Sequence, residues 1–199
     1  MRFFGHPLMI AAAMALMLTA CNKSAGGATA DDMALGNAQA KVTVVEYASA
    51  SCPHCAEFNN EVFPIFKTKY IDSGKIHYVF REFLTPPQEV AASGFLIARC
   101  AGKDKYFSVL DAIYRGQAAM YASGDYRGSL LRIAQSAGMS EDQFNKCTTD
   151  DAALKALNDR VQKSVDAGIS GTPTFVVNGT KMDGAPTLAN LDAAIAQAK

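Results

Sequence analysis

Val42-Thr43-Val44-Val45-Glu46-Tyr47, followed by Cys52-Pro53-His54-Cys55 and Ala56-Glu57-Phe58-Asn59-Asn60-Glu61-Val62-Phe63, is the run that decides how this chain folds. The first segment, rich in β-branched residues, reads as a buried strand, and the last has the spacing of a helix. The two cysteines therefore sit on a strand-to-helix junction, spaced so that they can cycle between dithiol and disulfide. Cys52 falls at the expected helix N-terminus, where unpartnered N–H groups and the helix dipole favour an anion, and Pro53 suits the first helical position. His54 adds a donor, and a positive charge when protonated. The thiolate is the reactive species, and cysteines in such settings titrate from about 3.5 to 7.5 against about 8.5 for a free thiol. A lowered value stabilises the dithiol and makes the disulfide an oxidant; Cys55, deeper in the turn, is the expected resolving thiol.

A purely structural disulfide and half of a zinc site are the competing readings of this motif. Zinc needs two further ligands. Cys100 and Cys147 are the cysteines left to supply them, but neither belongs to a second C-x-x-C knuckle, so no metal is expected.

Outward from the motif, the first helix is expected from 53 to about 69, kinked at Pro64, which lacks a backbone donor. Ile76-His77-Tyr78-Val79-Phe80-Arg81 alternates as a strand does, and Thr85-Pro86-Pro87 ends it. From Gln88 to about Ala167 the pattern is helical. Val90, Gly94, Ile97 and Ala98 form one face, Phe107, Leu110, Ile113 and Tyr114 another, and Leu154, Leu157, Val161 and Val165 a third. Thr174-Phe175-Val176-Val177 is a short strand, Asn178-Gly179 a type I′ hairpin signal, and Lys181-Met182-Asp183 the expected return strand. A last helix starts at the N-cap Thr187 and carries Leu188, Leu191 and Ile195 as its apolar stripe. The class is α/β: strand and helix alternate in residues 41–84 and 171–199, and residues 85–170 form an inserted helical subdomain.

Balanced charge, with 19 Lys and Arg against 19 Asp and Glu, and the lack of a basic cluster exclude nucleic acid as the main partner. Arg2 precedes an apolar run from Leu8 to Ala20 that is too short to span a bilayer and has the length of a secretory signal core. Residues 1–20 thus read as a signal peptide. Leu18-Thr19-Ala20-Cys21 resembles the bacterial lipobox, which makes Cys21 the expected lipidation site and anchor; cleavage after Ala28-Thr29-Ala30, giving a soluble protein, is the alternative. Either route leads to an oxidising compartment. Residues 21–40 read as a flexible tether. Of five cysteines, Cys21 is lost or lipidated, which leaves two pairs. Cys100 and Cys147, both in helical segments, are expected to form a structural disulfide, with two free buried thiols as the alternative.

Val45-Glu46-Tyr47 ahead of Cys52, the Cys52-Pro53-His54-Cys55 motif, and Gly171-Thr172-Pro173-Thr174-Phe175 ahead of a hairpin together resemble the DsbA-type disulfide oxidoreductases, over residues 41–199. The resemblance implies a thioredoxin-like fold with an inserted α-helical subdomain. It implies that Pro173 is cis, that it faces the redox pair and exposes backbone for a substrate strand, and that Thr172 contacts the catalytic sulfurs. It makes Glu46 a buried acid that assists proton movement at Cys55, against the plainer reading of an acid at a strand edge. It also implies a second disulfide like that of Cys100 with Cys147, found in some members, and no cofactor. The partners implied are exported proteins with reduced cysteines and a membrane reoxidant of the DsbB type, acting on a monomer in the periplasm. Family isomerases carry a long N-terminal dimerisation domain, which favours a monomeric oxidase here. Threonine before the cis proline also occurs in isomerase and reductase relatives, so the direction stays open. A lipoprotein binding module with an inert disulfide is the reading from another class.

Overall fold

The computed structural model describes Met1 and residues 28–198. The expected signal sequence beyond Met1, Cys21 and the tether up to residue 27 lie outside the described residues. Strands β1 (Met33–Gly36), β2 (Val42–Ala48), β3 (Ile76–Glu82), β4 (Thr174–Val177) and β5 (Thr180–Lys181) form one sheet in the order β1-β3-β2-β4-β5. β2 and β3 are parallel, with Val42 opposite Ile76 and Ala48 opposite Glu82. Parallel neighbours need a crossover, which helix α1 over residues 53–71 supplies. The remaining pairs are antiparallel.

Both faces of β2 are covered, which is why its sequence is apolar almost throughout. Val42, Val44 and Ala48 belong to the main core with α1 and the inserted helices, whereas Val45 and Tyr47 join Val79, Phe83, Ile169 and Val176 in a smaller core on the opposite face. Alternation along the strand puts Glu46 on the side of Val44 and Ala48. A carboxyl group is thereby carried into the main core.

α1 is continuous but not uniform. The N–H of Phe63 donates to the Phe58 carbonyl and that of Asp72 to the Lys67 carbonyl, five residues back rather than four. Pro64 has no N–H to give the carbonyl four residues before it, so the interruption expected there takes the form of a wide turn just ahead of the proline, and the helix runs on. The tether expectation needs correcting at its far end. Met33–Gly36 pair with β3 and Met33 is buried; a four-residue edge strand is too short to show a period in sequence.

The insertion comprises α2 (Gln88–Cys100), α3 (Lys103–Ser123), α4 (Tyr126–Ser136), α5 (Glu141–Thr148) and α6 (Asp151–Asp166). Asp125, Ser140 and Asp150 cap α4, α5 and α6 with their side chains, and Ser140 forms a capping box with Gln143. Two cross-links hold the insertion. Buried Glu82, at the end of β3, accepts from Arg99 of α2 at 2.5 Å, Tyr106 of α3 at 3.0 Å and Arg160 of α6 at 2.7 Å. A disulfide between Cys100 and Cys147 joins the end of α2 to α5.

Asn178 and Gly179 both take positive φ, 45° and 85°, as a type I′ turn requires. That two-residue turn places Thr180 opposite Val177, so the return strand is Thr180–Lys181, one residue earlier and shorter than the sequence suggests. α7 (Leu188–Gln197) is capped by the Thr187 hydroxyl, which accepts from the Asn190 N–H, and it buries Leu191 and Ile195.

Candidate active site

Cys52 is the N-cap of α1, with extended backbone, and its Sγ accepts from the Cys55 N–H at 3.3 Å. Pro53 follows at the first helical position, where no donor is needed. Both cysteines are free thiols; Cys52 is 6% exposed and Cys55 fully buried. Pairing of β4 with β2 carries the segment before Thr174 over this helix end. The Thr172-Pro173 bond is cis, and the Thr172 carbonyl accepts from the Cys52 thiol at 3.4 Å. The Thr172 hydroxyl is buried with no fixed hydrogen-bond partner among the described residues, and it can turn toward the sulfur when Cys52 ionises.

These surroundings separate the two thiols. Cys52 is drawn down to about 6, chiefly by the hydrogen bond from the Cys55 thiol, against burial, and with help from Thr172 and the N–H groups of Cys55 and His54. Cys55 is pushed far up by burial first, then by its hydrogen bond to Cys52 and the charge there. The His54 ring does not face the sulfurs. It is 80% exposed, 3.4 Å from Glu57, and His54 serves Cys52 through its backbone N–H.

Glu46 is 3% exposed and accepts from the Tyr78 hydroxyl. Burial pushes its carboxyl up to about 8; the Tyr78 hydrogen bond offsets part of this, and the Cys52 charge adds to it. At neutral pH it is mostly protonated. Cys100 and Cys147 are joined to each other and unavailable to Cys52 and Cys55 as metal ligands, and no group of three His, Cys, Asp or Glu among the described residues is placed to hold a metal.

A thioredoxin family model matches residues 28–197. The chain belongs to the thioredoxin family. Its inserted helices give it the DsbA architecture: alpha-DsbA1 of Wolbachia pipientis is 28% identical, with a TM-score of 0.77 over 85% of this chain and 92% of that one. Two proteins that carry the provisional name protein-disulfide oxidoreductase are also similar. That of Rickettsia bellii is 39% identical over 155 residues, 77% of this chain and 59% of its own length. That of Rickettsia conorii is 41% identical over 155 residues, 76% and 54% respectively. This thioredoxin-family chain therefore spans little more than half the length of these relatives.

Several residues that shape the site were not singled out for it from the sequence. On α3, Gln117 donates to the Ala50 carbonyl at 3.0 Å and the Cys52 carbonyl at 3.4 Å, and the Tyr121 hydroxyl donates to the Ser51 carbonyl at 2.7 Å. The insertion of this thioredoxin-family protein thus grips the loop that leads into the Cys52–Cys55 pair. The signal for Gln117 was an amide in the apolar stripe of Leu110, Ile113, Tyr114 and Met120. Behind the loop, the hydroxyls of Ser49, Ser51 and Thr85 bond to one another over 2.9 to 3.1 Å. Gly94 of α2 lies so close that a Cβ there would be 3.0 Å from that of Ala50.

Proposed function

We propose that this protein is an extracytoplasmic thiol:disulfide oxidoreductase acting as a dithiol oxidase on exported proteins. The observation that carries the reading is the asymmetry of the pair: a nucleophilic Cys52 at the helix end under cis-Pro173, and a buried, hard-to-ionise Cys55 behind it.

In the oxidised state a substrate thiolate attacks Cys52 Sγ. The Cys52–Cys55 bond breaks, a mixed disulfide forms at Cys52, and Cys55 leaves as a thiolate. Because Cys55 holds its proton strongly, the neutral Glu46 carboxyl gives it one. A second substrate thiolate then attacks the substrate sulfur of the mixed disulfide and releases Cys52, whose low pKa makes it a good leaving group. Two electrons pass from substrate to protein. Thr172 and Pro173 present backbone to the substrate strand, and Cys100–Cys147 acts as a structural staple. Reoxidation passes the electrons to a membrane partner of the DsbB type, with Cys52 attacking the partner's disulfide and Glu46 taking the Cys55 proton back. Export by the signal peptide and anchoring through lipidated Cys21 are part of the proposal, supported by the lipobox-like sequence; an intact mass of the mature protein tests them. Among the described residues no helix is long and apolar enough to cross a membrane.

Refolding of a reduced, denatured substrate, insulin reduction and the equilibrium potential together test the direction. Oxidase function predicts rapid substrate oxidation and a potential nearer the roughly −120 mV of strong oxidants than the roughly −270 mV of thioredoxin. Fast insulin reduction with a thioredoxin-like potential would instead favour the reductase or isomerase reading that Thr172 keeps open. Inertness in both assays, with a Cys52–Cys55 bond resistant to glutathione, would mean a binding module.

A further inference from the structure

The two peptide units that lead into Cys52 are held at both ends. The Ala50 carbonyl accepts from the Gln117 amide at 3.0 Å, and the N–H of the same unit, on Ser51, donates to the Ser49 hydroxyl at 3.4 Å. In the next unit the Ser51 carbonyl accepts from the Tyr121 hydroxyl at 2.7 Å, and the Cys52 N–H donates to the Ser49 carbonyl at 3.1 Å. The Cys52 carbonyl takes the Ala56 N–H at 3.1 Å and a second bond from Gln117 at 3.4 Å. Two side chains one turn apart on α3 thus engage three successive carbonyls. Gln117 is 3% exposed, and an amide so deeply buried is costly unless its donors are used. The Tyr121 ring lies edge-on to Tyr126 of α4, with centroids 5.8 Å apart, which steadies the ring that carries the hydroxyl.

We propose that Gln117 and Tyr121 are positioning residues for the redox pair: by drawing the carbonyls of Ala50, Ser51 and Cys52 toward α3, they set the backbone angles of Cys52 and thereby the reactivity of its sulfur. The sulfur is an N-cap acceptor, so its hold on the Cys55 N–H depends on the extended backbone of Cys52, at φ −81° and ψ 121°. A carbonyl released from α3 can swing its negative end toward the helix start, where it opposes a thiolate, and a Cys52 turned from those angles loses the donors of the helix end. The inserted helices in this way act on the chemistry of a site in the other part of the fold. The inference deepens the oxidoreductase reading and rests on it for the exchange chemistry. The titratable groups facing Cys52 are Cys55 of α1, Glu46 of β2 and Tyr121 itself, and the segment before β4 contributes Thr172. Burial holds the Tyr121 phenol above its ordinary value, so it stays neutral where Cys52 titrates and acts through its hydrogen bond rather than through a charge.

Gln117→Met keeps the bulk of the side chain and removes its donors, and Tyr121→Phe removes one hydroxyl from a half-buried ring. Each variant is compared with the unmodified protein by absorbance titration of the reduced form, by the equilibrium constant for reduction of its disulfide by glutathione at pH 7, and by urea unfolding. The Cys52 titration is expected to rise by about one unit in Gln117→Met and about half a unit in Tyr121→Phe, which weakens thiolate stabilisation of the dithiol and lowers the reduction constant roughly fivefold and roughly threefold. A merely structural role would lower stability and leave both the titration and the constant in place. That result in both variants overturns the proposal; if Gln117→Met does not fold, Tyr121→Phe decides it on the same readouts. A constant that moves without the titration overturns it as well, since the two side chains would then act on the disulfide and not on the thiol. If the unmodified protein does not exchange with glutathione, the oxidoreductase reading falls, and the titrations alone still decide the positioning.

Discussion

At the scale of single residues, the site works by treating two identical thiols differently. Hydrogen bonds converge on Cys52, whereas Cys55 has burial and a neighbouring charge against it. An absorbance titration of the reduced protein at 240 nm should show one thiol ionising near pH 6 and no second one below pH 10. Two ionisations close together would contradict the asymmetry. Cys55→Ser should accumulate mixed disulfides at Cys52, and Cys52→Ser should abolish exchange, which gel shifts with a thiol substrate would reveal. The residues legible in the sequence were those whose role is local: Cys52 and Pro53 at a helix start, and Cys55 one turn on. Tyr78, Gln117 and Tyr121 were not legible as partners because their contacts cross 32, 67 and 70 positions of chain. Local periodicity places them on faces without saying what each face meets.

At the scale of elements, the helical insertion is held to the sheet by Glu82 and stapled by Cys100–Cys147. Glu82→Ala would leave Arg99 and Arg160, whose side chains are 23% and 19% exposed, without their shared anion. Breaking such a pair costs roughly 3–5 kcal/mol, so the variant should lose about that much in a urea titration. The disulfide closes a separation of 47 residues, for which loop entropy gives a stabilisation of about 4 kcal/mol at most. The double variant Cys100→Ala, Cys147→Ala should lose up to that amount while the Cys52 titration stays in place, because neither Cys100 nor Cys147 is among the groups that shift Cys52. A shifted Cys52 would show that the staple also tunes the site. Elements with strong signals, such as the Asn178-Gly179 hairpin and the Thr187 cap, were readable. β1 was not, because its pairing with β3 rather than its own four residues defines it.

At the scale of the whole molecule, the two shifted groups act on stability with opposite signs. Cys52 is lowered, so its contribution to the reduced protein is fully present above the ordinary thiol value and is lost as pH falls through about 6. Glu46 is raised, so its contribution is full below the ordinary carboxyl value and is lost as pH rises through about 8. Oxidation removes both thiols, of which Cys52 alone is lowered and so titrates across this range. The stability of the reduced form relative to the oxidised form should therefore grow with pH between about 6 and 9, by on the order of 3 kcal/mol. Denaturant unfolding of both forms at pH 5 and pH 8.5 measures it; a gap that does not change with pH would remove the basis for an oxidising disulfide.

The short β1 strand has a further consequence for orientation. It runs antiparallel to β3, with Met33 opposite Phe80, while Asp32 pairs with Arg81 and the Asp31 carbonyl accepts from Arg99. The chain thus joins the sheet at the end where β2 delivers Cys52, not at the far end. Met33 is a fixed mooring point, and the stretch from Cys21 to it reaches at most roughly 40 Å fully extended. With Cys21 as the anchor proposed above, the protein would hang on a short leash fastened beside its reactive end, its redox pair turned toward the bilayer that would hold its reoxidant.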